Sequence, residues 1–110
     1  MRRELNFLQV LSDDAEDRVR VEADIERGRV LRFVVQYEAH IGGKWRAIVR
    51  YDTAHGFPHR DLMHPRRFAD KVALAISDLN VAMTFSIQDV QALWLAYRET
   101  YEREFRREKG

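Results

Sequence analysis

Hydrophobic and polar residues alternate most cleanly over residues 18–25. Val19, Val21, Ala23 and Ile25 fall on one side, and Arg18, Arg20, Glu22 and Asp24 on the other. A period of two is that of a half-buried strand. Glu26-Arg27-Gly28-Arg29 makes a turn. A second strand from Val30 to Ile41 then carries Leu31, Phe33, Val35, Tyr37, Ala39 and Ile41 on one face. Gly42-Gly43 turns the chain into a third strand, Lys44 to Asp52, with Trp45, Ala47, Val49 and Tyr51 at alternate positions. Asp70 to Ser77 alternates again and reads as a fourth. Residues 4–11 fit a strand through Leu5 and Phe7, or a helix through Leu5, Leu8 and Leu11. They read as a short strand or extended arm, and residues 12–17 as a polar loop.

The hydrophobic pattern also constrains register, because a slip of one residue turns every side chain to the wrong face. A two-residue Gly42-Gly43 turn would set Val35 opposite Arg50 and Tyr37 opposite Ile48. A three-residue Gly42-Gly43-Lys44 loop pairs Ile41 with Trp45, Ala39 with Ala47, Tyr37 with Val49 and Val35 with Tyr51, all apolar. The same logic at Arg27-Gly28-Arg29 sets Ile25 opposite Leu31 and Val21 opposite Val35. Arg32, Gln36, Glu38, His40, Arg46, Arg50 and Asp52 are thereby expected on the other face, with Val34 and Ile48 among them.

From Ser77 or Asp78, either of which can cap a helix, the period lengthens. Leu79, Met83, Ile87, Val90, Trp94, Tyr97 and Tyr101 keep near-heptad spacing. Thr84 to Ser86 is a candidate break, with Ser86 as a second cap. Aromatics at helical spacing opposite an apolar sheet are core. Tyr101 and Phe105 are expected to overhang the sheet. The predicted fold is α+β: an antiparallel β-meander of about four strands, its apolar face covered by a long C-terminal α-helix, in a single domain over residues 1–110.

Composition narrows the class. Hydrophobic residues make up 45% and charged residues 34% of the 110 residues, as in an ordinary globular protein. No apolar run approaches the ~20 residues that span a bilayer, and residues 1–4 lead into no signal-peptide pattern. Cysteine is absent, which removes disulfides, thiolate metal sites and a cysteine nucleophile. A cytoplasmic location is expected. With 19 basic against 18 acidic residues there is no bulk positive field, so any RNA contact needs cations gathered on one face.

Candidate chemistry concentrates between Arg50 and Pro65, which holds three of the four histidines and both prolines. His55, His59 and His64 can move protons near neutrality, while arginine steadies developing negative charge. They are the acid–base candidates for a phosphodiester, with Arg50 on phosphate and Asp52 orienting an imidazole. Tyr51, Arg46 and Arg60 are the candidate substrate contacts. A divalent metal on His55, His59 and His64 is the competing arrangement. The compact spacing of such a site needs a helix, which Gly56 and Pro58 oppose, and no cofactor is the first expectation. A rigid loop whose histidines bond its own backbone is the bland alternative.

Arg50-Tyr51-Asp52-Thr53-Ala54-His55, followed by Pro58-His59 and His64, resembles the signature of the TumE-like toxins of prokaryotic toxin–antitoxin pairs. The likeness spans residues 30–66. Arg50, Tyr51, Asp52, His55, His59 and His64 match, while Thr53 stands where asparagine is usual and Gly56-Phe57 interrupts the histidine pair. The resemblance implies a compact α+β protein, an antitoxin as partner, and RNA-directed or translation-directed toxicity. A ribonuclease or other RNA-directed factor is the leading expectation. The rival is a non-enzymatic homodimeric interaction module.

Overall fold

A computed structural model describes the backbone of residues 1–109 and the side chains of residues 1–107. Six strands, β1 (Arg2–Val10), β2 (Asp17–Glu26), β3 (Arg29–Ile41), β4 (Lys44–Asp52), β5 (His59–Leu62) and β6 (Asp70–Ala73), precede one helix, α1 (Leu79–Lys109). The strands lie in chain order in a single sheet, each antiparallel to the next. The α+β class and covering helix are as the sequence predicts. The strand count rises from about four to six. β1 is a full strand, and β5 emerges from within the histidine loop. The expected strand over 70–77 shrinks to the four exposed residues of β6.

Both glycine turns depart from the expected register. Arg27 and Gly28 have φ of 50° and 76°, and Gly42 and Gly43 have 62° and 80°. Two successive left-handed residues make the two-residue turn whose twist matches that of the strands. Ile41 therefore meets Lys44 and His40 meets Trp45, in place of Ile41 with Trp45 and Ala39 with Ala47. Further in, the ladder steps from Glu38↔Ala47 to Tyr37↔Val49, leaving Ile48 as an extra residue. The first hairpin repeats the device: Ile25 pairs with Val30, Asp24 with Arg32, and Leu31 is the extra residue. One bulge per hairpin absorbs the one-residue mismatch. It restores Val35↔Tyr51 and Val21↔Val35 as expected.

Each bulge also exchanges faces. Leu31 is 43% exposed while Val30 is buried, and Ile48 is buried while Trp45 is 40% exposed. Trp45 lies on the polar face, edge-on to His40 and beneath the Arg18 guanidinium, 3.8 Å from the ring centroid. Arg46 lies on the apolar face instead. Its guanidinium covers the Phe105 ring at 4.7 Å, and its Nε donates to Ile41 O.

The core is the odd-numbered face of β2 and β3 with Val49 and Tyr51, closed by α1 through Ala82, Ser86, Val90 and Tyr101. Asp78 caps the helix, its carboxylate accepting from the backbone N–H of Asn80 and Val81. There is no break at 84–86. Buried Ser86 returns its hydroxyl to Ala82 O, and the helix runs on. Trp94 packs edge-on against Tyr37, with 6.5 Å between centroids. Tyr101 and Phe105 do not overhang: Tyr101 is buried and Phe105 is half-buried over the second hairpin tip. A Cβ on Gly42 would stand 2.9 Å from the Phe105 ring, whereas one on Gly43 would meet nothing.

Arg98 fastens α1 to the sheet. It donates to Asp17, to Glu16 O and to His40 O. Asp17 also accepts from the buried Tyr37 hydroxyl at 2.5 Å. Among the described residues no helix is long and apolar enough to cross a membrane.

Candidate functional site on the polar sheet face

The face turned away from α1 is built by the even-numbered residues of β2 and of β3 beyond its bulge. There, carboxylates lie deep and cations lie over them. Glu38 receives Arg18 Nε at 2.8 Å and Arg20 Nε at 3.0 Å, and Asp24 receives Arg2 and Arg32 at 2.8 and 2.7 Å. The side chains of Asp24 and Glu38 are 6% and 9% exposed, against 24% to 60% for their arginines. Burial pushes the Glu38 carboxyl up. Hydrogen bonds from Arg20, Arg18 and Gln36 outweigh it and hold Glu38 below the usual carboxylate range. Solvent therefore meets guanidinium first.

The same pattern continues across β4 to β6. Arg50 Nε donates to Asp52 Oδ2 at 2.6 Å and its Nη1 to Gln36. His59, 1% exposed, sits opposite Asp52 in the β4–β5 ladder, with Nε2 2.9 Å from Asp52 Oδ1. Burial again works to raise the Asp52 carboxyl, but Arg50, the Ala54 N–H and the positive field of His59 hold it low. Asp61 lies opposite Arg50, with its Oδ1 3.9 Å from His59 Nε2. Lys71 of β6 closes the group, its Nζ 3.4 Å from His59 Nε2 and 3.1 Å from Asp61 Oδ1.

The three loop histidines thus have three settings. His55 is exposed, with its ring 5.4 Å from that of His59. His59 is enclosed. His64 is in neither group: its Nδ1 meets Glu104 of α1 and its Nε2 meets Asp70, each at 2.9 Å. Burial disfavours the His64 cation, but these two carboxylates outweigh it and raise its pKa above the ordinary imidazole value. His64 is a latch between the β5–β6 loop and the helix. Among the described residues, the metal-type cluster is Asp52, His59 and Asp61, not the histidine trio.

Of the expected substrate contacts, none lies on this face. Tyr51 is wholly buried beneath α1, its hydroxyl donating to Asp89, which also accepts from Tyr97 at 2.5 Å. Arg60 follows on the same side. Burial works against its charge, but bonding to the Tyr51 and Tyr97 hydroxyls raises its pKa. Arg46 covers Phe105. What the polar face does unite from the expected set is Arg50, Asp52 and His59, with His55 beside them.

A family profile described as a domain of unknown function (DUF7718) matches residues 1–107, which takes in the whole sheet and nearly all of α1. The chain belongs to the DUF7718 family. No curated protein and no solved structure matches it.

Lys71 is the member of this DUF7718 face that sequence reasoning passes over, and Asp61, noted in the sequence only as lying near the loop histidines, gains its place through β5. His-Arg-Asp-Leu alternates for only four residues between a glycine-containing turn and a proline. Four residues carry too little periodicity to separate a strand from a loop. Without β5, nothing aligns Lys71 with Asp61.

Proposed function

We propose that this chain is an RNA-directed factor of the toxin-like kind. It would hold single-stranded RNA on the polar sheet face rather than cut it with His59. The layering of cations over buried carboxylates is the observation that supports this. Arg18 and Arg20 of β2 and Arg50 of β4, which lies across Gln36 of β3 from Arg20, are each partly exposed and each held by a carboxylate, Glu38 or Asp52. Phosphate oxygens are the complementary acceptors. Trp45, 40% exposed, backs the Arg18 guanidinium, and together they make a planar stack on which a base can lie. The small net charge of +1 is no obstacle, because cations are gathered where a strand of RNA would lie. General acid–base work by His59 finds little support, since an imidazole 1% exposed and bonded to Asp52 has no open path to a phosphodiester. The likeness to TumE-like toxins adds an antitoxin as the expected partner.

Anisotropy titration of a labelled RNA 12-mer over a series of salt concentrations tests this. Three phosphate contacts predict a log–log salt slope of about −2, and Arg20→Gln removes about 0.7 of it. Trp45→Ala costs about 1–3 kcal/mol of affinity. Glu38 keeps Arg18 in the Arg20→Gln variant, so the fold should hold. Absence of binding at low salt, or a slope indifferent to Arg20 and Arg50, defeats the proposal.

A second reading, the non-enzymatic module that pairs with a second copy, draws support from β1. All but Leu5 of its nine residues are exposed, including Phe7, Leu8 and Val10, and its outer edge has no partner strand. Long bare edges with apolar side chains recruit further strands. Antiparallel self-pairing about Asn6 would set Leu5 against Phe7 of the second copy in both directions.

A further inference from the structure

We propose that Asp52, His59 and Asp61 form a binding site for one divalent transition-metal ion, zinc or manganese, and that Lys71 is the resident cation it displaces. Neither the polyanion face nor the β1 edge requires this site. Asp52 Oδ1 lies 2.9 Å and Asp61 Oδ1 3.9 Å from His59 Nε2, and the three donor atoms all fall within 4.8 Å of one another. Donors held about 2.1 Å from a common ion stand about 3.0 Å apart at right angles and about 3.4 Å apart in a tetrahedron. The observed set brackets those separations, so a small side-chain adjustment suffices.

The second observation is Asp61 itself. The residue is 9% exposed, and its buried Oδ1 accepts no hydrogen bond among the described residues. Its counter-charge is the Lys71 ammonium, paired with Oδ1 at 3.1 Å and weakly hydrogen-bonded to Oδ2 at 3.4 Å. A buried anionic oxygen left in this state is costly unless a cation completes it. Lys71 is a makeshift for that cation. Its side chain is 53% exposed and free to swing into water.

The outer sphere is already assembled. Arg50 holds Asp52 Oδ2 at 2.6 Å and the Ala54 N–H holds Oδ1 at 3.2 Å, which leaves Oδ1 one lone pair for an ion. Phe57 O faces His59 Nδ1 at 3.5 Å, where it can accept an Nδ1–H while Nε2 ligates the ion. Such a carbonyl behind the ligating imidazole is what metal-bound histidines require. One nitrogen and two carboxylates disfavour soft ions and suit zinc or manganese.

Calorimetric titration of the chelator-treated full-length chain with zinc chloride, and separately with manganese chloride, should give one ion per chain for at least one metal. Lys71→Met should tighten binding by about tenfold, because the competing like charge is gone. Asp61→Asn should weaken it by more than the ~10–100-fold that loss of an outer-sphere partner costs. His55→Asn and His64→Asn should leave it unchanged. Independently of any variant, zinc should move the side-chain nitrogen resonances of His59 and spare those of His64. No saturable binding by wild type or by Lys71→Met overturns the proposal. So does an Asp61→Asn titration matching wild type, or a nitrogen shift confined to His55 or His64.

Discussion

Replacing Asp89 with alanine should loosen α1 from the β4–β5 hairpin, and the structure sets the size of the effect. The Asp89 carboxylate accepts from two phenols, Tyr51 and Tyr97, where the helix passes β4, the strand that carries Arg50 and Asp52. A hydrogen bond to a charged group contributes about 1.5–3 kcal/mol, so two contribute about 3–6 kcal/mol. Alanine is the better helix former by roughly 0.5 kcal/mol, which offsets part of that. Tyr97 is only half-buried and recovers part of its bond from water. The expected net loss is therefore about 2–4 kcal/mol, a large share of the ~5–15 kcal/mol that holds a domain folded. Urea unfolding followed by circular dichroism measures it, with an unchanged denaturant slope showing that the folded state is otherwise intact. Tyr51→Phe completes a cycle, and its cost should shrink by about 1.5–3 kcal/mol once Asp89 is alanine. If the two changes add within about 0.5 kcal/mol, the phenol does not depend on that carboxylate and the clamp is disproved.

The His64 latch should make stability depend on pH. Its folded pKa is raised from the ordinary value of 6.5, so the contribution is complete below that value and fades as pH climbs through the folded one. Melting curves between pH 5 and pH 9, taken as a difference between wild type and His64→Gln, should show a gap that narrows upward; a constant gap would count against the latch. Phe7→Lys should keep the chain monomeric under light scattering at concentrations where wild type dimerises. Equal masses at every concentration would remove the second reading.

The alternation of β2 is legible because both its faces are needed at full length, one for the core and one for the paired arginines. The helix is legible from its apolar stripe, with the cap narrowed to Ser77 or Asp78, of which the structure uses Asp78. Register was readable only in the middle of each hairpin. The faces of Arg46 and Trp45 depend on a two-residue turn followed by a bulge at Ile48, and a strict period of two has no way to express a mid-strand change of phase. The histidine loop misled through proximity in the chain. His59 and His64 are five positions apart, yet one is sealed against Asp52 and the other is claimed by Glu104, forty residues on. Long-range carboxylates decide what each imidazole does, and spacing along the chain does not carry that information. Arg98 was illegible for a similar reason, since its partners Asp17 and His40 lie at the far ends of other strands.

The paired bulges have one more effect. Each extra residue, Leu31 or Ile48, lies between a tight tip and the body of the sheet. A change in the length of either tip can be taken up where the ladder already slips, instead of rotating every side chain beyond it. The alignment of Val34 with Asp52, and so of Asp52 with His59, is insulated from what happens at the glycines. The ladder can thus take up a change at a tip locally, within what the Phe105 contact at Gly42 allows, while the buried charges keep their positions.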